Sequence, residues 1–264
     1  DVFYIVVPKG EYTTFEVNFV EQSGKVYSRT FDATGDKQLL GGKVREFPSL
    51  VFDLEDCDNM LLIGTDADMA TFANEVKAGT FNSKYDGALM ISDVDMTDKA
   101  WESLDGFDSL FEGRGYSIKG LNAPLFATAA AYIYNLNLKD VNIEITDRIH
   151  SGAIACDLYG DIDNCSASGT MKINPTMTES ITGNDGDIVI GGLVGVTTSS
   201  EECYDLVNEV NVEISGTYKN AIIAAGLIGL GESCSLSNST NLGSITYNGS
   251  SANHVFIGGL VVVC

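Results

Sequence analysis

The residues that most resemble a catalytic group in this sequence are three aspartates around one tyrosine, namely Asp157, Tyr159, Asp161 and Asp163. Hydrolysis of a glycosidic bond needs two carboxylates about 5 to 10 Å apart on one face, and these aspartates are the nearest match to that requirement. No serine nucleophile motif of the GxSxG type is present, and neither His150 nor His254 has an evident partner. We interpret the aspartates as solvated turn residues and predict that the protein is not an enzyme.

The residue types that bind metals are spaced unfavourably for a metal site. No CxxC pair occurs among the cysteines, and the two histidines lie far apart, which argues against zinc. Acidic clusters at positions 53–58 and 93–98 lack the central glycine and the closing glutamate of an EF-hand calcium loop. We therefore interpret both clusters as ordinary surface charge and predict neither a metal nor a cofactor.

The charge of the chain excludes two classes of partner. Against 37 Asp and Glu stand 15 Lys and Arg, a net charge of −22, which repels nucleic acid backbones and anionic lipid headgroups. The longest apolar runs, residues 221–230 and 255–263, are shorter than the ~20 residues that cross a bilayer. We predict no nucleic acid partner and no transmembrane helix in this segment.

Residues 1–55 have the pattern of antiparallel strands. Polar and apolar residues alternate over 13–20 and over 25–31, which is the period of half-buried strands. Two further strands are predicted over 2–7 and 44–52, the latter at an edge because it contains Pro48. Since four strands make about half of a β-sandwich, we expect this domain to be incomplete and the chain to be part of a longer precursor.

One helix is predicted, over about residues 66–78. Thr65 or Asp66 can act as its N-cap, and Gly79 ends it. A single apolar stripe falls at helical spacing, formed by Met69, Phe72, Ala73 and Val76. A helix with one apolar stripe lies across another apolar surface, so we interpret this one as a cap.

The second half of the sequence repeats one glycine-containing tetrapeptide. Its copies are Gly152-Ala-Ile-Ala155, Gly192-Leu-Val-Gly195, Gly226-Leu-Ile-Gly229 and Gly259-Leu-Val-Val262, with first glycines 40, 34 and 33 residues apart. Three short strands per unit, with no helix between them, describe one coil of a parallel β-solenoid. We therefore predict an all-β protein in which residues 56–264 form a right-handed parallel β-helix with one capping helix.

Stacking of coils would place equivalent residues of successive units about 4.8 Å apart. Leu193, Leu227 and Leu260 are then expected to form an apolar column inside the β-helix. A second column, at one corner, is predicted from Asn135, Asn164, Asn208 and Asn238. Because a stacked amide can bond to the next amide and to turn backbone, we assign this column a structural role.

The cysteines are too few for a disulfide scaffold, with six in 264 residues. Most are interpreted as small apolar side chains. Cys203 and Cys234 stand out because they lie five and four residues before Asn208 and Asn238, respectively. We expect these two cysteines to be neighbours on adjacent coils, as a disulfide or as stacked thiols.

The copies at 191–195, 225–229 and 258–261, together with Ile162-Asp-Asn-Cys165, resemble the GLUG repeat of bacterial surface adhesins and some secreted peptidases. The likeness covers about residues 56–264, although Ala153, Ala155 and Val262 depart from the motif. Segments 3–12 and 42–48 more loosely resemble the second half of a fimbrillin-like sandwich from bacterial surface lipoproteins. The two resemblances together imply export to the bacterial outer surface and a lipid anchor upstream of this segment.

These features favour a non-catalytic protein of adhesion or recognition at the bacterial surface. The expected partner is a host or extracellular glycan or protein. One alternative is a structural stalk that presents another module. The other is a carbohydrate-active enzyme, either a polysaccharide lyase or a hydrolase, because β-solenoids also host such enzymes and fold alone does not decide function.

Overall fold

The computed structural model describes residues 14–20, 26–32, 59–174, 186–198, 202–218, 220–231, 234–251 and 254–263. Contacts within the chain divide it into two compact units, residues 1–60 and residues 61–264. Strands predominate throughout the described ranges, so the protein belongs to the all-β class, as predicted.

In residues 1–60 the structure describes one antiparallel pair of strands, Thr14–Val20 and Val26–Asp32. The register pairs Thr14 with Asp32 and Val20 with Val26. Both strands agree with the predicted segments to within one residue. The strands predicted over 2–7 and 44–52 lie outside the described residues, so the β-sandwich stays a prediction.

In the second unit the predicted helix is present as Asp66–Lys77. Thr65 is its N-cap, since the Thr65 hydroxyl accepts a hydrogen bond from the backbone N–H of Asp68 at 3.2 Å. Gly79, with a φ of 65°, follows the helix end as predicted. A second helix of one turn, Phe81–Lys84, comes directly afterwards and was not predicted.

The rest of this unit forms four main sheets, in each of which the strands are neighbours in the order in which they occur in the sequence. The first sheet contains Met60–Ile63, Gly87–Met90, Leu110–Glu112, Tyr132–Tyr134, Ile162–Asp163, Glu202–Tyr204 and Ser235–Ser237. The second sheet contains Val94–Asp95, Ser117–Lys119, Asn137–Ile145, Ser166–Ile173, Val207–Ile214 and Thr240–Asn241, and Ile245–Tyr247 also pairs with Val207–Ile214. The third sheet contains Leu104–Phe107, Phe126–Ala129, Ala155–Leu158, Val194–Thr197, Ile228–Gly231 and Val261–Val263. The fourth sheet contains His150–Ser151, Ile188–Gly191, Ile222–Ala225 and Val255–Gly258, and a small separate sheet pairs Thr217–Tyr218 with Ser250–Ser251.

The chain passes through these sheets in a repeating order, and we call each passage a coil. The early coils run through the first, second and third sheets, and from His150–Ser151 onward the fourth sheet is inserted between the second and the third. Strands of successive coils pair in parallel, as in Ser166–Ile173 with Val207–Ile214. The prediction of three strands per coil is therefore wrong for the later coils. The parallel pairing of successive repeats is as expected, whereas the closed right-handed β-helix stays a prediction.

Burial alternates along the strands of the second sheet, so their apolar side faces the core, whereas Ile188–Gly191 and Val194–Thr197 are buried at every position. In Val207–Ile214, for example, Val210 and Val212 are buried while Glu209 and Glu213 are exposed. Apolar side chains of successive coils join into one continuous buried cluster. Acidic residues such as these two glutamates occupy the solvated outer side.

Candidate functional site

The corner between the first and second sheets is formed by residues with left-handed backbone conformation, and we call it the asparagine corner. Asn135, Asn164 and Asn238 have φ values of 54°, 48° and 45°, a region that Asn adopts more readily than most residues. Asn164 donates from Nδ2 to Oδ1 of Asn135 at 2.6 Å, and Asn135 donates to the carboxylate of Glu112 at 2.9 Å. Three of the four predicted column residues therefore occupy this corner.

The remaining member of the asparagine corner is Asp205, so the prediction of Asn208 was wrong. Asp205 has a φ of 55°, and its carboxylate accepts a hydrogen bond from the side chain of Asn238. Asn208 lies three residues further on, in the second sheet, opposite Asn241. Asp and Asn both tolerate the left-handed conformation, so backbone geometry rather than residue identity defines the column.

Asn208 has a different structural role, beneath the glycine motif. It is 1% exposed, donates from Nδ2 to Oδ1 of Asn241 at 2.8 Å, and accepts from the N–H of Val210 at 3.0 Å. A Cβ added to Gly192 would lie 2.5 Å from the side-chain amide of Asn208, and one added to Gly226 would lie 2.2 Å from Nδ2 of Asn241. The glycines of the repeat thus leave the space that the two amides occupy.

Replacing Asn164 tests the asparagine corner. Asn164→Ala is expected to lower the free energy of unfolding by about 2 kcal/mol, because alanine costs about 1 kcal/mol in the left-handed conformation and the hydrogen bond to Asn135 adds about 1 more. Asn164→Gly should recover about half of this loss, since glycine adopts that conformation without strain. Urea unfolding followed by far-UV circular dichroism measures both values. Equal losses for the two variants would contradict the conformational explanation.

The structure places the three predicted core leucines on successive coils. The N–H of Leu193 donates to the carbonyl of Leu227 at 3.0 Å, and the N–H of Leu227 donates to the carbonyl of Leu260 at 2.9 Å. Leu193 and Leu227 are completely buried, whereas Leu260, in the last described coil, is 41% exposed. The column is therefore a packing feature of the coils.

Cys203 and Cys234 are buried and lie on adjacent coils. The register places Cys203 opposite Leu236, so Cys234 is two residues out of direct register. The two residues do not form a disulfide with each other, and stacking of their thiols stays a prediction.

Cys165 makes the stability of the protein depend on pH. Desolvation in the core raises the pKa of the Cys165 thiol from 9.0 to about 12. A thiol whose pKa is raised on folding stabilises the folded state below about pH 9 and loses this contribution as pH rises toward 12, because only the unfolded chain then releases the proton.

Between about pH 8 and pH 10 we expect the wild-type protein to lose about 1.4 kcal/mol more unfolding free energy than Cys165→Ala. Urea unfolding of both proteins under reducing conditions at the two pH values measures the difference. The same pH dependence in both proteins would exclude Cys165 as its source.

The outer surface of the first sheet brings together tyrosines and carboxylates from three successive coils. The register aligns Tyr134 with Asp163 on the next coil, and Asp163 with Tyr204 on the coil after that. The residues next to them in these strands are buried, so the three side chains point outward. Tyr132 also lies on this side, with its ring centroid 6.4 Å from that of Tyr134 and the ring planes 27° apart. We call Tyr132, Tyr134, Asp161, Asp163 and Tyr204 the tyrosine–carboxylate face.

The tyrosine–carboxylate face combines exposed rings with partly buried charge. Tyr132 and Tyr204 are 52% and 41% exposed. Burial raises the pKa of the Tyr134 phenol above its ordinary value, and the charges of Asp161 and Asp163 raise it further. The Oδ1 atom of Asp163 is buried and has no hydrogen-bond partner among the described residues. The rings of such a surface can stack against a ligand, and its carboxylates can accept hydrogen bonds from the ligand or attract a positively charged group on it.

His150 has a partner that the sequence did not reveal. Its Nδ1 lies 2.6 Å from an Oδ1 of Asp157, which belongs to the third sheet, whereas Asp163 belongs to the first. Nearby, Arg148 donates from Nη1 to the Sγ of Cys156 at 3.4 Å. Asp157 therefore lies in the third sheet, apart from Asp163 and from Asp161, which comes just before the strand Ile162–Asp163, and only Asp161 and Asp163 belong to the tyrosine–carboxylate face.

No family model, curated protein or solved structure matches the chain. The GLUG and fimbrillin-like resemblances thus rest on the residues quoted for them. Within the described ranges, no group of three or more His, Cys, Asp or Glu side chains is placed to hold a metal ion. The helices in the same ranges lack the length and apolar character needed to cross a membrane. Fold and site together define an all-β protein whose successive repeats pair as parallel strands and which has an aromatic and acidic surface on its first sheet.

Proposed function

We propose that this protein is a non-catalytic recognition protein that acts in adhesion at a bacterial surface, with the tyrosine–carboxylate face as its binding site. The observation that carries this proposal is the alignment of Tyr134, Asp163 and Tyr204 on three successive coils, with Tyr132 beside them. Tyrosine supplies a large amphipathic contact surface at a low cost in conformational entropy. Paired strands hold such side chains more rigidly than loops do, which reduces the entropy lost on binding.

The cellular location in this proposal comes from the resemblance to GLUG repeats and fimbrillin-like sandwiches. The repeating coils give a separate, physical reason for a role in recognition, because repeating units present an extended surface along which a ligand can contact several coils at once. The net charge of −22 is compatible with such a role and opposes binding to acidic polymers.

A structural stalk is the second candidate. The asparagine corner and the buried amides of Asn208 and Asn241 support it, because these most regular features of the coils act on the fold alone. A carbohydrate-active enzyme is favoured only by Asp161 and Asp163, which both act on the phenol of Tyr134. Turnover of a polysaccharide that disappears in Asp163→Asn would support this enzyme.

Attachment assays with a double variant test the proposed function. In cells that display the full-length protein, Tyr132→Leu with Tyr204→Leu is expected to reduce attachment to host matrix proteins or immobilised glycans at least about tenfold, because exposed aromatic residues dominate such interfaces. Tyr116→Leu is the matched control, since Tyr116 is also exposed but precedes a strand of the second sheet. Unchanged attachment in the double variant would favour the stalk.

A further inference from the structure

We propose that the tyrosine–carboxylate face binds a cationic side chain, an arginine guanidinium or a lysine ammonium, from an extended segment of a partner protein. This inference rests on the proposed function, because it names the ligand of the same face. It is carried by three observations: the order of side chains across the coils, the unpaired oxygen of Asp163 and the charge of the face.

The order of side chains suits a single cation. Asp163 lies in register between Tyr134 and Tyr204, so with strands about 4.8 Å apart the two tyrosine positions are about 10 Å apart with a carboxylate between them. A cation within about 6 Å of a ring centroid is attracted by the negative face of the ring. One guanidinium or ammonium above Asp163 would thus interact with the carboxylate and with an aromatic ring on either side.

The carboxylate of Asp163 has an oxygen that makes no hydrogen bond within the part of the chain that the structure describes. Its Oδ1 is buried without a hydrogen-bond partner among the described residues, which is costly for a carboxylate oxygen removed from water. By contrast, Glu112, aligned with Tyr134 on the other side, already accepts hydrogen bonds from the side chain of Asn135 and the N–H of Arg114. A donor on the outer face reaches this oxygen only after the carboxylate rotates toward solvent, and a charged N–H donor forms the hydrogen bond that would favour this rotation most.

The charge of the face selects a cation over other ligands. Asp161 and Asp163 both disfavour a further negative charge at Tyr134, and the same field attracts a positive group. Acidic glycans and acidic peptides are disfavoured for this reason. A neutral sugar would stack on the tyrosines but would bring no positive charge to Asp163, so a cationic peptide interacts with more of the site.

The test uses the full chain and an acetylated, amidated peptide of alternating arginine and glycine, titrated at about 0.15 M salt so that long-range attraction is screened. Asp163→Asn is expected to weaken binding at least about tenfold, and Tyr204→Leu about fivefold without any change in charge. Glu209→Gln is the matched charge control, because Glu209 is exposed on the strand Val207–Ile214 of the second sheet and lies outside the tyrosine–carboxylate face. It should change the affinity less than about twofold. Far-UV circular dichroism checks that each variant keeps its fold.

The outcomes separate this inference from the proposed function. Equal weakening by Asp163→Asn and Glu209→Gln would overturn the inference, because it would show a diffuse attraction between peptide and acidic chain. Binding of chitohexaose that survives Asp163→Asn but is lost in the Tyr132→Leu and Tyr204→Leu double variant would overturn it and leave the recognition function standing. No binding of either probe, together with unchanged attachment of the double variant, would overturn both.

Discussion

Gly192→Ala is expected to lower the free energy of unfolding by about 3 kcal/mol or more, because the new methyl group has no space. Its Cβ would lie 2.2 Å from the carbonyl oxygen of Gly226 and 2.5 Å from the side-chain amide of Asn208. The carbonyl belongs to the next coil and cannot move without disturbing the parallel pairing of Val194–Thr197 with Ile228–Gly231. The amide is held by its hydrogen bonds to Asn241 and Val210.

The matched control for this substitution is Gly259→Ala, at the equivalent position of the last described coil. A Cβ on Gly259 would meet no atom within 4 Å, so the loss should stay below about 0.5 kcal/mol. Urea unfolding of both variants by far-UV circular dichroism gives the comparison. Similar losses at the two positions would mean that the glycine motif reflects backbone conformation and not the close approach of coils.

The sequence predicts the inner columns well because each inner position is chemically constrained. Leu193 and Leu227 are completely buried on successive coils joined by backbone hydrogen bonds, so an apolar residue is required at both positions, whereas Leu260, in the last described coil, is 41% exposed. The helix Asp66–Lys77 could be predicted for a related reason, since its cap and apolar stripe are local signals.

Features defined by backbone geometry were harder to predict from residue identity. The string Leu206-Val-Asn208 matched the other asparagine elements, although the corner residue is Asp205. The fourth sheet was missed because Ile188–Gly191 runs into the glycine motif, and the two look like one apolar segment in the sequence. In both cases the sequence did not reveal the residue at which the chain turns from one strand into the next.

The tyrosine–carboxylate face was missed because outer positions carry no repeated residue type. Tyr134, Asp163 and Tyr204 each directly precede a residue of the asparagine corner, and this common position is the one signal that would have aligned them. Inner positions must match from coil to coil, whereas outer positions contact solvent and are free to differ. Binding specificity is therefore expected on the outer side of the coils, where the sequence is least repetitive.

Phe72→Ala is expected to cost about 4 kcal/mol of unfolding free energy, through the cavity it leaves and the aromatic contacts it removes. Phe72 is completely buried on the helix Asp66–Lys77. Four rings surround it with centroids between 5.2 and 6.3 Å away, namely Phe81, Phe107, Phe111 and Phe126. Because three of these rings belong to strands of the early coils, loss of Phe72 should loosen the helix and the first coils together.

Trp101, the only tryptophan of the chain, reports on this region. It is buried and donates from Nε1 to the carbonyl of Leu125 at 3.2 Å, next to Phe126, so its emission should shift when the early coils unfold. Phe256→Ala is the control, because Phe256 is 48% exposed on the last described coil and should cost less than about 1 kcal/mol. If the urea midpoint of the Trp101 emission change is the same in Phe72→Ala as in the wild type, the helix does not stabilise the coils. A lower midpoint in Phe72→Ala, with the midpoint of Phe256→Ala equal to that of the wild type, would assign the helix its capping role.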